Sequence, residues 1–302
     1  MPKHWTQEFS YVTGAVLNAE SASFALINDA MAARKQEHAF LVDWKRGQWF
    51  RDDAHKPWDV VSMCVCQAPL RQVLALSPTG QVNCAGSGNL HDETIGLPAD
   101  GPATRGPLRK LRSIGGLGYA AGMNRQVYCR DKNGTWQTID AGLRPKPGGP
   151  IVGFESIDGY SPSEIYAVGW DGAIWMSDGG RWSEITSPTN IVLTDVCCAG
   201  DDLVYAAGLK GLLLRGRHRQ WDIVDTPTHI DDVWSIAWFQ GSIYVSTFRG
   251  VYQLKDDDFA LVDMGDDQAA SYFHLVSAGD ELWSIGAKDV MVFDGQNWRR
   301  FD

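Results

Sequence analysis

A repeat of roughly 40 residues in the second half of the chain constrains its fold more than any other sequence feature. Successive copies hold equivalent places at equal steps along the chain: Gly169, Gly208, Thr247 and Gly286. Trp182 and Trp221 show the same spacing. A fixed period of this kind is typical of repeat architectures, in which each copy is one supersecondary unit that packs against its neighbours.

Each copy contains four short strand-like runs, which we name A to D. In the clearest copy they span residues 151–156, 165–169, 173–176 and 181–185. Glycine-containing turns separate B from C and C from D, and glycine readily adopts the positive φ that tight hairpins need. The pattern predicts a four-stranded antiparallel meander. Such a sheet buries both faces only when it packs radially against others like it.

Weaker copies upstream bring the number of units to seven. Their B-like runs are Ser23–Ile27, Val73–Ser77 and Gly118–Gly122. The sequence therefore predicts an all-β fold, a single β-propeller domain over residues 1–302 with seven four-stranded blades. The expected blades span roughly 10–53, 58–97, 107–140, 150–187, 190–225, 230–263 and 271–302.

Closure of the ring is left open by the sequence, because both ends of the chain contain a run that resembles a D strand. These runs are residues 5–9 and 298–301. The N-terminal run either leads into the first A strand or completes the last blade.

Composition agrees with a repeat of strands and turns. The chain has 13 Trp and 32 Gly among 302 residues, and 44% of its residues are hydrophobic, enough to form a core. Small residues at the end of strand B suit the crowded inner part of a propeller: Gly122, Gly169, Gly208 and Gly286. We expect the aromatic residue that opens strand D to pack between adjacent blades.

Charge and hydropathy exclude several functional classes. The net charge of -10 and the pI of about 5.1 are the opposite of what a nucleic-acid-binding protein shows. The sequence has neither an apolar leader nor an apolar run long enough to cross a membrane. Six cysteines are too few for a disulfide scaffold of this length. We predict a cytoplasmic protein with no nucleic-acid partner and no membrane insertion.

The repeat carries a family resemblance. The run Ile165–Gly172, followed by Asp178-Gly179-Gly180-Arg181-Trp182, resembles bacterial propellers of the photosystem-assembly-factor (YCF48-like) kind. The turn at Asp178 also resembles the Asp-box turns of sialidase-like propellers. The resemblance is best in blades 3 to 7. It implies a propeller fold and a habit of binding other proteins, and it names no substrate.

A search for catalytic chemistry yields little. The sequence contains no Walker A, HExxH, GxSxG or CxxC motif. Gly116–Ala121 resembles a dinucleotide fingerprint, but no helix follows it, so no cofactor is predicted. The cysteines are interpreted as small apolar core residues, and the histidines lack metal-ligand spacing. The rival class is a glycan- or lactone-active hydrolase with a channel metal, whose inward ligands would include Asp195, Asp232 and His274.

The loops are more informative. In a propeller the B–C and D–A connections emerge at one end of each blade, and the A–B and C–D connections at the other. The A–B and C–D loops are rich in Asp, which we interpret as a turn-forming and solubilising feature. The B–C turns instead place large apolar residues beside cations, and Lys210, Arg249 and Lys288 follow the same equal spacing as the repeat.

This pattern predicts a partner-binding surface. Its candidate residues are Met123, Arg125, Trp170, Leu209, Lys210, Phe248, Arg249 and Lys288. The alternative is that these side chains fold back onto neighbouring blades. Long segments expected at the same end of the blades, residues 30–38, 85–107 and 141–150, favour a functional surface.

We therefore predict a non-enzymatic protein-binding propeller that grips its partner through the B–C and D–A loops. The expected partner is another protein with an acidic surface. It is either a toxin, which an immunity protein would occlude directly, or an assembly client.

Overall fold

Seven four-stranded antiparallel sheets make up the part of the chain that the computed structural model describes, residues 5–51, 55–146 and 148–301. In every sheet each strand pairs with the next one in sequence. The predicted seven-bladed all-β propeller is therefore confirmed. The chain forms two compact units: unit 1 is Met1–Val60 with Thr226–Asp302, and unit 2 is Val61–Asp225.

The first four blades follow in chain order. Blade 1 has β1 (Phe9–Asn18), β2 (Ser21–Asn28), β3 (Phe40–Lys45) and β4 (Gln48–Arg51). Blade 2 has β5 (Ser62–Cys66), β6 (Gln72–Leu76), β7 (Gln81–Gly86) and β8 (Asn89–Thr94). Blade 3 has β9 (Leu108–Ile114), β10 (Leu117–Gly122), β11 (Val127–Arg130) and β12 (Trp136–Thr138). Blade 4 has β13 (Phe154–Ser161), β14 (Glu164–Gly169), β15 (Ile174–Ser177) and β16 (Trp182–Ile185).

Three further blades complete the set. Blade 5 has β17 (Leu193–Cys198), β18 (Val204–Gly208), β19 (Leu213–Arg217) and β20 (Gln220–Ile223). Blade 6 has β21 (Ser235–Phe239), β22 (Ser242–Ser246), β23 (Val251–Lys255) and β24 (Asp258–Leu261). Blade 7 has β25 (His274–Ala278), β26 (Glu281–Ile285), β27 (Val290–Phe293) and β28 (Trp298–Arg300). The short helices are α1 (Trp5–Glu8), α2 (Asp29–Ala33) and α3 (Pro102–Arg105).

Blade closure in unit 1 uses the C-terminal strand. β28 pairs with β27 and completes blade 7, whereas the N-terminal run forms α1 and leads directly into β1. β1 is the innermost strand of blade 1, so the first of the two alternatives holds. Buried side chains from blade 1 and from blade 7 pack together in one core cluster of this unit, which includes Phe24 and Trp283.

The aromatic residues that open the D strands pack as expected in unit 2. Trp182 and Trp221 are buried, each 7% exposed. The indole Nε1 of Trp182 donates to the Ile139 carbonyl of the preceding blade at 2.8 Å, and its ring stacks on Phe154. The indole therefore joins the edge of one blade to the face of the next, and its N–H has the hydrogen-bond partner that a buried indole usually finds.

Two expected loops contain regular structure. Residues 85–107 were expected to form one long loop, but the end of β7, the strand β8 and the helix α3 lie within them. β8 has the polar sequence Asn-Leu-His-Asp-Glu-Thr and no opening aromatic residue, which is why hydrophobic patterning misses it. In unit 1, the segment 30–38 contains most of α2, capped by the Asn28 side chain.

Aspartates in the C–D turns act as backbone caps. Asp178 Oδ1 accepts hydrogen bonds from the amides of Gly180 and Arg181 at 3.0 and 2.8 Å. Asp131 and Asp294 do the same in their own turns. These caps explain the Asp-rich loops through turn chemistry. Among the described residues, no helix has the length and apolar character needed to cross a membrane.

Candidate functional site

The B–C turns of blades 3, 4 and 5, all in unit 2, dock onto their own blades. The amides of Met123, Trp170 and Leu209 donate to the carbonyls of Pro107, Gly153 and Val192 at 2.9, 3.0 and 3.1 Å. Each accepting carbonyl lies just before the A strand of the same blade. Met123 is buried, and Trp170 and Leu209 are half-buried. In unit 2, therefore, the predicted apolar anchors are drawn inward.

Glycine at the end of strand B makes this docking feasible. A Cβ built at Gly122, Gly169 or Gly208 would overlap the same carbonyl oxygen that accepts the hydrogen bond from the following residue. In unit 1, Gly286 meets the Ser271 carbonyl in the same way. The repeat glycine is thus required by a close backbone approach.

Two predicted site residues of unit 2 have internal partners. The Trp170 indole Nε1 donates to Glu155 Oε1 at 2.6 Å. The Arg125 guanidinium lies 5.0 Å from the ring centroid of Trp175. Lys210 is exposed in a left-handed turn conformation, with φ 59°.

The predicted residues of unit 1 are arranged differently. Phe248 is 70% exposed. The Arg249 side chain projects into solvent and pairs with Asp231 at 2.8 Å. Lys288 instead turns back, donating to the Phe9 carbonyl at 2.9 Å and pairing with Asp29.

An exposed apolar cluster lies at the B–C/D–A end of blade 6, and we call it the blade 6 patch. It consists of Trp234, Phe248 and Leu261, which are 45%, 70% and 63% exposed. The Trp234 amide donates to the Ser246 carbonyl at 2.9 Å. Ser246 ends β22 and lies two residues before Phe248. Leu261 lies beside Gly250, in the same turn as Phe248. Three large exposed apolar side chains on adjoining segments indicate an interaction site.

Sequence reasoning missed Trp234 and Leu261. The available signal was alternation: Val233 is fully buried and Trp234, its neighbour, is exposed. Leu261 closes a D strand in which Phe259 is buried. Period-2 patterning could therefore have placed Trp234 on the outward face, but it puts Leu261 on the same face as the buried Phe259, so Leu261 left no such signal.

A polar cleft of about 340 Å³ opens at the B–C/D–A end of blade 3 in unit 2, and we call it the blade 3 cleft. Its lining residues are Thr104, Arg105, Asn124, Arg144, Pro145, Lys146, Gly148, Gly149 and Pro150. Three of them are cations and none is a carboxylate. The sequence placed the segment 141–150 at this end but did not identify the cleft.

The inner strands of unit 2 carry a buried ion pair. Asp195 is 1% exposed, and it accepts hydrogen bonds from Lys110 Nζ at 2.9 Å and Ser156 Oγ at 2.6 Å. Burial opposes ionisation of Asp195, but Lys110 and Arg112 hold its pKa at about 2. The carboxylate that was considered as a channel metal ligand is thus neutralised by protein cations.

Three side chains of blade 2 could together hold a metal ion. Cys84 Sγ, a ring nitrogen of His91 and a carboxylate oxygen of Glu93 lie within 4.8 Å of one another. Glu93 already accepts two hydrogen bonds from Arg130, at 2.9 and 2.7 Å, and one from Trp136 at 2.8 Å. Burial, followed by the charge of Glu93, raises the pKa of the Cys84 thiol to about 12. The geometry is that of a buried ion-pair network joining blades 2 and 3.

Solved structures of other proteins share this fold. A catalytically inactive variant of virginiamycin B lyase from Staphylococcus aureus, with quinupristin, superposes with a TM-score of 0.71 at 11% identity, covering 95% of this chain and 94% of that one. YCF48 bound to D1 peptide gives 0.63 at 12% identity, covering 98% and 93%. At these identities the likeness shows the fold alone. The chain is a seven-bladed β-propeller, and its predicted fold-level resemblance to YCF48-like propellers is confirmed.

A curated relative defines the family. No family model matches the chain. Immune protein Tsi7 of Pseudomonas aeruginosa (strain PAO1) is 44% identical over 306 aligned positions, covering 100% of both chains. The chain therefore belongs to the family of Immune protein Tsi7.

Proposed function

We propose that this chain is a cytoplasmic immunity protein that binds a toxin through the B–C and D–A loops of its blades and neutralises it by occlusion. The observation that carries the proposal is the 44% identity with Immune protein Tsi7 over the whole of both chains. Relatives this similar along their full length share a fold and present equivalent loops at equivalent places.

The blade 6 patch supplies the main anchor in this proposal. Aromatic side chains that leave water on binding carry a large share of the energy of protein interfaces. Trp234 and Phe248 are of that type, and the flanking Arg249 gives the patch a polar rim. Leu261 extends the apolar area.

The proposed mode of action is binding without catalysis. The polar groups in the interior of unit 2 are engaged by one another: Asp195 pairs with Lys110, and Glu93 with Arg130. Such pairs stabilise a scaffold, and neither carboxylate is poised to act as a general base. The six free cysteines agree with a reducing compartment.

The test needs the toxin that the proposal requires, to be sought among the genes that neighbour the gene of this chain. We expect the purified proteins to form a stoichiometric complex by calorimetry, and co-expression of the chain to restore growth of cells that produce the toxin. Joint substitution of Trp234, Phe248 and Leu261 by Ala should weaken the complex by at least about 100-fold, since a truncated interface anchor costs about 2 kcal/mol or more.

Phe50→Ala and Leu90→Ala provide matched controls, because these side chains are 50% and 67% exposed on outer D strands. Both should bind the toxin as the wild type does. Absence of both complex and protection with the wild type contradicts the immunity function. Wild-type affinity in the folded triple variant keeps that function but removes the blade 6 patch from the interface.

A further inference from the structure

We infer that the blade 3 cleft is a carboxylate-binding site that receives an acidic segment of the partner protein. This inference rests on the proposed function and names the chemistry by which a second part of the surface recognises the same toxin. The cleft lies entirely within unit 2.

The charge of the cleft is opposite to that of the chain as a whole. Its lining contains Arg105, Arg144 and Lys146, whereas the full chain has a net charge of -10. Low-dielectric walls around charges of one sign focus the local field and attract a ligand of the opposite sign. Because Arg144 pairs with Asp100 and Arg105 with Asp140, the excess positive charge of the cleft comes from Lys146, and it favours a single anionic group.

The hydrogen-bond donors of Arg144 are only partly used by this chain. Arg144 pairs with Asp100 at 2.6 Å through one nitrogen, and its side chain is 53% exposed. Arg105 Nη2 lies 2.6 Å from an Asp140 carboxylate oxygen, and Arg105 Nε lies 3.9 Å from Asp100. A guanidinium offers five N–H donors in a fork that matches a carboxylate. Arg144 can thus bind a further anionic group, whereas Arg105 is already paired with carboxylates of this chain.

Backbone contacts hold the walls of the cleft in place. The Asn124 side chain donates to the Arg105 carbonyl, and the Asn124 amide donates to the Val152 carbonyl at 2.8 Å. Gln126 Nε2 donates to the Gly106 carbonyl at 2.6 Å. The B–C turn of blade 3 therefore ties the segment that contains α3 to the end of the loop that carries Arg144 and Lys146. A site formed in advance binds with less ordering cost.

The occupant is best assigned as protein rather than nucleic acid. Arg144 and Lys146 fit one or two carboxylate side chains, whereas a duplex would need an extended basic surface. The strongly acidic chain would repel a polyanion beyond the cleft. Asp or Glu side chains on a loop of the toxin fit the small number of cations and bring no extended polyanion near the acidic surface.

The experiment has two arms, and both use the full chain. In the first, the double variant Arg144→Glu, Lys146→Glu is compared with Lys132→Glu, Arg181→Glu, which carries the same charge change on exposed C–D turns of unit 2. We expect the cleft variant to bind the toxin at least about 10-fold more weakly, mainly through slower association at low salt, and the control variant to bind about as the wild type does.

In the second arm, acetyl-Glu-Glu-Glu-amide is titrated into wild-type protein and into the cleft variant, and the Asn124 side-chain amide is followed by NMR. Saturable shifts in the wild type alone are expected. Unchanged toxin affinity in the cleft variant overturns the inference, and so does the absence of peptide shifts in the wild type. In both cases the immunity function stands. If wild-type protein binds no toxin, the proposed function fails and the peptide arm decides the cleft by itself. Tighter binding of a duplex oligonucleotide than of the peptide also overturns the inference.

Discussion

The B–C turns of blades 4 and 6 occupy the same place in the repeat, but the first docks onto its blade and the second leaves its apolar side chain exposed. In blade 4, Gly169 allows Trp170 to dock on the Gly153 carbonyl, and the indole is half-buried against Glu155. In blade 6, Thr247 replaces the glycine and its hydroxyl accepts the Arg249 amide at 3.1 Å. That turn closes on itself and leaves Phe248 exposed.

This difference between the two turns shows how one repeat provides both the scaffold and a binding surface. In blades 3, 4 and 5, where strand B ends in glycine, the amide of the following residue bonds to the carbonyl just before the A strand, and that residue becomes part of the blade. Where strand B ends in a residue that forms a local turn, the following residue remains outside. A single position therefore decides whether an apolar side chain stabilises the fold or is available to a partner.

Gly169→Ala should break the docked turn and produce the largest effect on stability. The new Cβ would overlap the Gly153 carbonyl oxygen and crowd the Phe154 backbone. We expect the free energy of unfolding to fall by about 3 kcal/mol, measured by urea denaturation.

The matched control for this change is Gly180→Ala in the same blade. A Cβ at Gly180 has no neighbour nearer than Asp178 Oδ1 at 3.8 Å. The control should lie within about 0.5 kcal/mol of the wild type. Equal stability of the two variants would show that the docked turn does not need glycine.

The buried pair on the inner strands of unit 2 should give the next largest effect, as a dependence of stability on pH. The pKa of Asp195 is about 2 in the folded chain, against an ordinary value of 3.8. A lowered pKa contributes stability above pH 4, and this contribution is lost as the pH falls toward 2. The difference, 3.8 minus 2, corresponds to about 2 kcal/mol.

Asp195→Asn removes that contribution. Between pH 4 and pH 2, its free energy of unfolding should fall by about 2 kcal/mol less than that of the wild type, in urea denaturation at each pH. Asp225→Asn, at an exposed carboxylate of the same unit, should follow the wild type. A wild-type pH slope in the Asp195 variant would contradict the assigned ion pair.

The fold was predictable from the sequence because the repeat glycines and the D-strand aromatic residues recur at a fixed step. Gly208 and Trp221 are required by local contacts within and between blades, so they leave a periodic signal. The strand β8 was not predicted, because its polar residues carry no such periodic signal.

The candidate site was predictable only in part. The turn positions of Trp170 and Phe248 follow from the period, but their exposure depends on whether the turn docks. That outcome depends on a backbone contact between the residue that follows strand B and the residue that precedes strand A, such as Trp170 and Gly153. These residues are distant in sequence and meet at the open end of the A–B hairpin. The blade 3 cleft is lined by the end of α3, by a B–C turn and by the loop that carries Arg144, and no period relates Arg105 to Arg144.

The smallest effects should distinguish the two turns most sharply. Trp170→Phe removes the hydrogen bond from Nε1 to Glu155 Oε1 and should lower the free energy of unfolding by about 1 kcal/mol. Phe248→Leu, at the equivalent place in blade 6, changes a side chain that is 70% exposed and should have an effect within about 0.5 kcal/mol. For toxin affinity the order should reverse, since Phe248 is the more open of the two to a partner. Urea denaturation and calorimetry on the same two variants measure both quantities. If Trp170→Phe weakened toxin binding more than Phe248→Leu did, the docked turn would belong to the interface, and the division between scaffold and surface would not follow the position of the glycine.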